Sequence, residues 1–323
     1  MIQSDSNDTP LLSIVAPAFN ESENLDTFYS KVTTVIKDIN INMEIIYVND
    51  GSRDNTLDVM LKQREKDDRI CIIDLSRNFG KEIALTAGLD HASGDAIVII
   101  DTDMQDPPEL IPKFVELWLE GFDVISAKRS QRKGESFFKK MTSYIYYRLL
   151  SKLSEIDIPL DTGDFRLISR KALEALLKLR EKHRYMKGLY AWVGFRHKEI
   201  EYEREARHLG KTKWNYFNLL NLAFDGLTSF SVLPLRLASI VGVSSAMLAF
   251  TFGVFIMSKK ILFGDAVTGY ASLVVIITFI GGIQLLALGI IGEYLGRIFN
   301  ETKNRPLYIV NDFQRSVFFN KHK

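Results

Sequence analysis

Between Leu11 and Asp103, short apolar runs alternate with longer stretches of mixed polarity. The runs LLSIVAPAF (11–19), MEIIYVND (43–50), ICIIDLS (70–76) and DAIVIIDTD (95–103) are rich in Ile and Val and have the length of buried strands. The intervening segments, among them Glu21 to Asn40 and Asp54 to Asp67, have the length and period of helices. This alternation predicts right-handed βαβ units and an α/β fold with a mainly parallel, Rossmann-like sheet. Ligands of such sheets collect beyond the carboxyl ends of the strands.

After Lys213 the pattern changes. Leu237 to Ser258 and Ala266 to Gly292 contain no Asp, Glu, Lys or Arg. At about 1.5 Å per residue each run can cross a hydrocarbon core of about 30 Å, so the pair predicts a membrane hairpin. Ahead of it Trp214, Phe217, Leu220, Phe224 and Leu227 recur at helical spacing with Asn215, Asn218, Asn221 and Asp225 between them, the pattern of an amphipathic interfacial helix. Ser136 to Leu153 reads equally as a second interfacial helix or as a helix packed on the sheet. The expected organisation is a soluble domain over 1–213, an interfacial helix over 214–233, transmembrane helices over 234–260 and 266–292, and a tail over 293–323. The polar start MIQSDSNDTP holds no signal region, and Arg236, Arg297, Lys303 and Arg305 flank the hairpin, which favours the cytoplasm for both ends; Lys259 and Lys260 oppose this. Gly281, Gly282, Gly289, Gly292 and Gly296 supply a small-residue face for packing within the hairpin or between protomers.

The strand ends carry PAFNE (17–21), NDGSRD (49–54), SRNFGKE (76–82) and DTDMQD (101–106), which a parallel sheet would bring to one rim. Asp101, Asp103 and Asp106 crowd the end of one buried strand, where like charges repel and desolvation is costly. A divalent cation with an anionic ligand behind it resolves that conflict. Asp106, just before Pro107 and Pro108, reads as the N-cap of the next helix, and Asp54 reads equally as a cap. No G-x-G-x-x-G follows the first strand, and GKT at 210–212 lacks the earlier glycine of a P-loop, since Glu205 stands there. Lys81 reads as a rim residue or an ordinary surface lysine.

In this order, PAFNE, VNDGSRD, RNFGKE, DTDMQDPPE, TGDFRL and HLGKTKWN, followed by two apolar spans, resemble the polyisoprenyl-phosphate glycosyltransferases of glycosyltransferase family 2, above all the bactoprenol glucosyltransferases of the O-antigen glucosylation type. The likeness runs from about Leu11 to Tyr308. It implies a GT-A catalytic domain that moves a hexose, in the first instance glucose, from a UDP-sugar to undecaprenyl phosphate with inversion. By the same resemblance Pro17, Asn20, Glu21 and Asp50 hold uridine and ribose. Asp101, Thr102 and Asp103 form the DxD motif, whose two carboxylates, with Gln105 nearby, place Mg²⁺ or Mn²⁺ on the diphosphate. Arg129, Arg207 and Lys213 face phosphates, and Asp164 is the candidate catalytic carboxylate. Its role stays open between a base and a group that orients the acceptor or stabilises the transition state, because a lipid monophosphate, with its second pKa at about 6, is already largely ionised at pH 7. The resemblance further implies a bacterial inner-membrane protein with its catalytic domain on the cytoplasmic face, in a homo-oligomer, a tetramer by the relatives.

Composition adds mainly exclusions. Lys+Arg 41 against Asp+Glu 40 leaves no net field that points to nucleic acid. The single cysteine, Cys71, sits in a strand pattern and reads as a core residue, so neither a disulfide framework nor a thiolate metal site is expected. A processive synthase would carry Q-x-x-R-W, which is absent. Two alternatives stand beside glucosyl transfer: the same reaction with N-acetylglucosamine or mannose, and a non-catalytic subunit that binds nucleotide sugar.

Overall fold

The computed structural model describes residues 9–129, 162–182, 184–202, 233–263 and 269–319. The segments read as interfacial helices, 136–153 and 214–233 apart from its last residue, lie outside them, as do Arg207 and Lys213. Among the described residues eight strands form one sheet: β1 (Leu11–Ala18), β2 (Asn42–Asn49), β3 (Ile70–Leu75), β4 (Ala96–Ile99), β5 (Val124–Arg129), β6 (Thr162–Ser169), β7 (His197–Tyr202) and β8 (Val310–Gln314). Their order is β7-β5-β6-β4-β1-β2-β3-β8. The β1–β4 block is parallel, as the alternation predicts, whereas β6 runs antiparallel to both β4 and β5, and β8 antiparallel to β3.

Because successive strand residues face opposite sides, the largely apolar, buried strands feed two cores. Leu12, Ile14 and Tyr47 pack beneath α1 (Leu25–Lys37) and α4 (Ile111–Leu119), which contribute Phe28, Val32 and Phe114. Leu25, Phe28, Val32 and Ile36 recur along one face of α1, which is why that helix lies flat on the sheet. On the other side Val15, Ile46 and Val48 belong to one core with residues of α3 (Lys81–His91), α5 (Arg170–Leu176) and α6 (Met186–Trp192). There α3 comes so close that a Cβ on Gly88 would lie 2.4 Å from Val15 Cγ1. Between β2 and β3 lies α2 (Thr56–Arg64). Cys71 is buried in β3, and its thiol is pushed up to about 12, first by burial and then by the nearby Glu44.

Two long helices follow, α7 (Leu233–Phe263) and α8 (Tyr270–Thr302). Within them Leu237–Lys259 and Leu273–Thr302 are long and apolar enough to cross a membrane, and their large side chains, such as Phe250, Leu248 and Leu285, face outward. These are the outward apolar faces expected of a membrane hairpin. Beyond α8 the chain returns to the sheet. Ser76 N donates to Ile309 O at 3.0 Å, Asn311 Nδ2 to Asp74 Oδ2 at 2.8 Å and Tyr308 Oη to Asp90 Oδ2 at 2.8 Å. The buried Glu44 carboxylate gathers Ser13 Oγ and Ser93 N, each at 2.7 Å, and Ser316 Oγ of this tail at 2.5 Å. The sequence reading assigned no strand to this tail.

Candidate active site

The carboxyl ends of β1, β2 and β4 deliver the predicted rim. On the first loop Asn20 takes a left-handed φ of 56°, its Oδ1 accepts from Arg53 N at 2.8 Å, and its own N donates to Ser52 Oγ at 3.0 Å. Glu21 N donates to Thr56 Oγ1 at 2.9 Å, while Glu21 Oε2 accepts from Asn24 Nδ2 at 2.6 Å. Pro17 is buried within β1. Asp54 links these loops, accepting from Ser22 Oγ at 2.8 Å and from Thr56 N at 3.1 Å, whereas the N-cap of α2 is Asn55, which makes no side-chain capping bond.

Asp50 is buried at the end of β2 and accepts from Phe79 N at 2.7 Å and Gly80 N at 3.0 Å. Burial raises its pKa, against the opposing pull of those two amides and Arg77. The adjacent Gly51 is required by both conformation and space: φ is +63°, and a Cβ there would lie 2.5 Å from the Arg77 carbonyl carbon and the Asn78 nitrogen. This packing sets the loop that leads into α3 and hence the position of Lys81, the first residue of that helix.

Past β4, Thr102 and Gln105 are buried, Asp103 Oδ1 accepts from Gln105 N at 3.1 Å, and Met104 between them has φ +59°. Asp106 is not a cap. It is buried, accepts from Tyr202 Oη at 2.6 Å, and the next helical turn, Pro108–Leu110, starts without any side-chain cap. Pro107 and Pro108 have no N–H, so the turn after Asp106 offers that carboxylate fewer donors than an ordinary helix start, and the phenol of β7 takes it.

The antiparallel insertion of β6 brings the remaining chemistry to this rim. Ile99 of β4 pairs with Arg166 of β6, so Asp164, two residues earlier on β6, emerges beside Asp101. Lys81 Nζ lies 2.6 Å from Asp101 Oδ2 and 2.6 Å from Asp164 Oδ2. Arg166, buried behind them, donates to Gly163 O at 2.7 Å and to Asp164 O at 3.3 Å, with its guanidinium 3.9 Å over the Tyr190 ring. The sequence reads Lys81 equally as a rim residue or a surface lysine, and it singles out neither Arg166 nor Tyr190; the local hints are the places of Lys81 in RNFGKE and of Arg166 in TGDFRL. Arg129 closes β5 opposite Tyr202.

Electrostatics separate the two carboxylates. Burial pushes both up, but Lys81, Lys187 and Arg166 outweigh it at Asp164 and hold that group well below the ordinary range. At Asp101 burial prevails over Lys81, and Asp164 and Asp106 add to it, so that carboxyl is pushed up to about 6. Burial would lower Lys81, yet Asp101 and Asp164 hold its pKa up. Glu82 is pushed up to about 7, first by burial and then by Asp164, against Lys81 and Lys187. Among the described residues Asp164 Oδ1 and Gln105 Nε2 are buried without a hydrogen-bond partner, one acceptor and one donor left for a ligand. No group of three or more His, Cys, Asp or Glu forms a metal cage among these residues. What the rim offers instead is a pair of hard carboxylate donors.

Comparison with known proteins bears on what such a rim does. Residues 13–177 match the family described as glycosyl transferase family 2. An uncharacterized glycosyltransferase of Synechocystis is 48% identical over 301 residues, which is 93% of this chain and 95% of that protein. A prophage bactoprenol glucosyl transferase homolog of Escherichia coli K12 is 44% identical over 93% of this chain and 98% of its own length. The bactoprenol glucosyl transferase of Shigella phage SfII is 43% identical, over 94% and 98% respectively.

Proposed function

The chain belongs to glycosyl transferase family 2 and is a glycosyltransferase with a GT-A catalytic domain, and from that premise we propose that it moves glucose from UDP-glucose to undecaprenyl phosphate, with inversion, at the cytoplasmic face of the bacterial inner membrane. The observation that carries this reading is the convergence of Asp101, Lys81 and Asp164 on one rim of a chain that also contains two membrane-length apolar helices. Names of relatives that share nearly the whole chain support the lipid phosphate acceptor and the glucose.

In this reading Pro17, Asn20, Glu21 and Asp50 bind uridine and ribose, and Arg129, Arg207 and Lys213 bind phosphate groups, Arg by its planar fork and Lys as a mobile point charge. Asp101 and Asp103, with Thr102 and Gln105 beside them, would hold Mg²⁺ or Mn²⁺. Two hard oxygen donors suit such an ion, and a cation there would offset what raises Asp101, burial first and then the neighbouring Asp164 and Asp106. When bound, the ion offsets charge on the departing diphosphate. A carboxylate held as far down as Asp164 is a weak base, and the acceptor phosphate needs little deprotonation. This favours Asp164 as the group that orients the acceptor or stabilises positive charge at the anomeric carbon. The domain division at 213, the interfacial helix over 214–233 and a homo-oligomeric assembly belong to the same proposal.

The test is to offer the purified full chain a panel of nucleotide sugars with undecaprenyl phosphate in vesicles. UDP-glucose should support transfer best. Best transfer from UDP-N-acetylglucosamine or GDP-mannose would replace the sugar assignment, and a chain that binds nucleotide sugar yet transfers none of them would overturn the catalytic reading.

A further inference from the structure

Lys81 has no part in the roles assigned above, yet it is the group that joins them. Its backbone is set by the loop that Asp50 holds through Phe79 N and Gly80 N. From there Nζ contacts one oxygen of each of two carboxylates that arrive on neighbouring strands, Asp101 from β4 and Asp164 from β6, at 2.6 Å in both cases. Two carboxylates this close repel each other, and the ammonium between them offsets that repulsion. The contact also divides the labour within Asp164: Oδ2 is anchored by Lys81, while Oδ1 is buried with no partner among the described residues and stays available to a ligand.

Asp101 is the harder case. A divalent ion on Asp101 and an ammonium on the same carboxylate would repel, so the two cations cannot both hold it at full strength. The Lys81 side chain is 45% exposed and ends on a flexible four-carbon stem, so it can leave Asp101 without disturbing the core. We propose that Lys81 is a positioning residue that orients Asp164 for transfer and competes with the divalent ion for Asp101, yielding that carboxylate when the ion arrives with the diphosphate. The inference rests on the reading above that Asp101 is a metal ligand. Its consequence runs against ordinary expectation for a site residue: removing Lys81 strengthens binding of the metal alone while it weakens catalysis.

The experiment measures Mn²⁺ binding to the full chain by the electron paramagnetic resonance of free Mn²⁺, with and without UDP, for wild type, Lys81→Met and Lys81→Arg. Without nucleotide, Lys81→Met should bind Mn²⁺ about tenfold more tightly, the scale of one lost charge-assisted hydrogen bond in competition. Lys81→Arg, which keeps the charge, should stay near wild type. In transfer assays Lys81→Met should lower kcat by at least about tenfold and change the KM for UDP-glucose much less, because Asp164 loses its anchor while the nucleotide contacts remain. Lys81→Gln, also neutral, should behave as Lys81→Met and takes its place where that variant fails to fold. Neutral variants that bind Mn²⁺ no more tightly than wild type, or an Arg variant that tightens as much as they do, overturn the role of Lys81 alone. Wild-type protein that takes up no Mn²⁺ even with UDP overturns the metal reading, and the competition with it.

Discussion

Asp164 shows how neighbours decide what a carboxylate can do. Burial alone would make it a better proton acceptor, but Lys81, Lys187 and Arg166 more than reverse that, so it is ionised throughout the neutral range. Its pKa lies below the ordinary aspartate value, so no protonation step falls between about pH 6 and 9, where the acceptor phosphate completes its own ionisation. Asp164→Asn should therefore lower kcat by about 100-fold, the usual cost of losing one transition-state contact, and the deficit should stay level across that range. A deficit that shrinks as the acceptor becomes a dianion would instead restore the base role. The residue scale was only partly legible. DTDMQD and TGDF announce Asp101, Asp103 and Asp164, but nothing near Lys81 distinguishes it from a solvated lysine until β6 is placed.

At the scale of elements, α3 links the core to the rim. Its N-terminal residue is Lys81 and its middle is pressed against β1 at Gly88, where an added Cβ would meet Val15 Cγ1 at 2.4 Å and Val48 Cγ2 at 3.1 Å. In an exposed helix Gly→Ala gains up to about 1 kcal/mol from backbone entropy. Here overpacking against two β-branched strand residues costs about 1–3 kcal/mol and wins. Gly88→Ala should therefore lower the thermal midpoint, with a net loss of about 1 kcal/mol, and should reduce transfer as α3 carries Lys81 away from Asp101 and Asp164. A variant that melts at or above the wild-type temperature would show that α3 has room to spare. The helix itself was legible as a polar segment between two strands. How tightly it packs was not, because a glycine in a sequence does not say which neighbour approaches it.

For the whole molecule, the tail after α8 couples the hairpin to the catalytic sheet. β8 covers the outer edge of β3, Tyr308, Val310 and Phe313 pack on the core beside α3, and Ser316 completes the hydrogen bonding of buried Glu44. A chain ending at Lys213 would bare the β3 edge and leave the Glu44 carboxylate short of a donor, a loss of about 1–3 kcal/mol for the latter alone. Such a truncation should melt at a lower temperature and self-associate, and rejoining 303–319 through a flexible linker should restore a stable monomeric domain, as read by calorimetry and sedimentation. The rejoined domain should still bind UDP-glucose within roughly tenfold of the full chain yet transfer poorly to undecaprenyl phosphate in vesicles, since the acceptor is confined to the bilayer by about 0.8 kcal/mol per buried methylene. Equal transfer with and without the hairpin would remove its positioning role.

By itself the sequence determined the parts: short continuous apolar runs, helices between them, two charge-free spans, and acidic and polar residues at strand ends. Each of these is a local property, because periodicity and side-chain chemistry are read over a few neighbours. Tertiary structure decided the partnerships. Asp101 faces Asp164 because β6 enters antiparallel next to β4, Tyr202 takes Asp106 from its expected cap because β7, parallel to β5, ends at the same edge of the sheet, and the tail pairs with β3 because an edge was open there. Periodicity says which face of a strand is buried but not which strand lies beside it. A lysine separated from Asp164 by 83 positions therefore becomes part of the site only when the sheet is assembled.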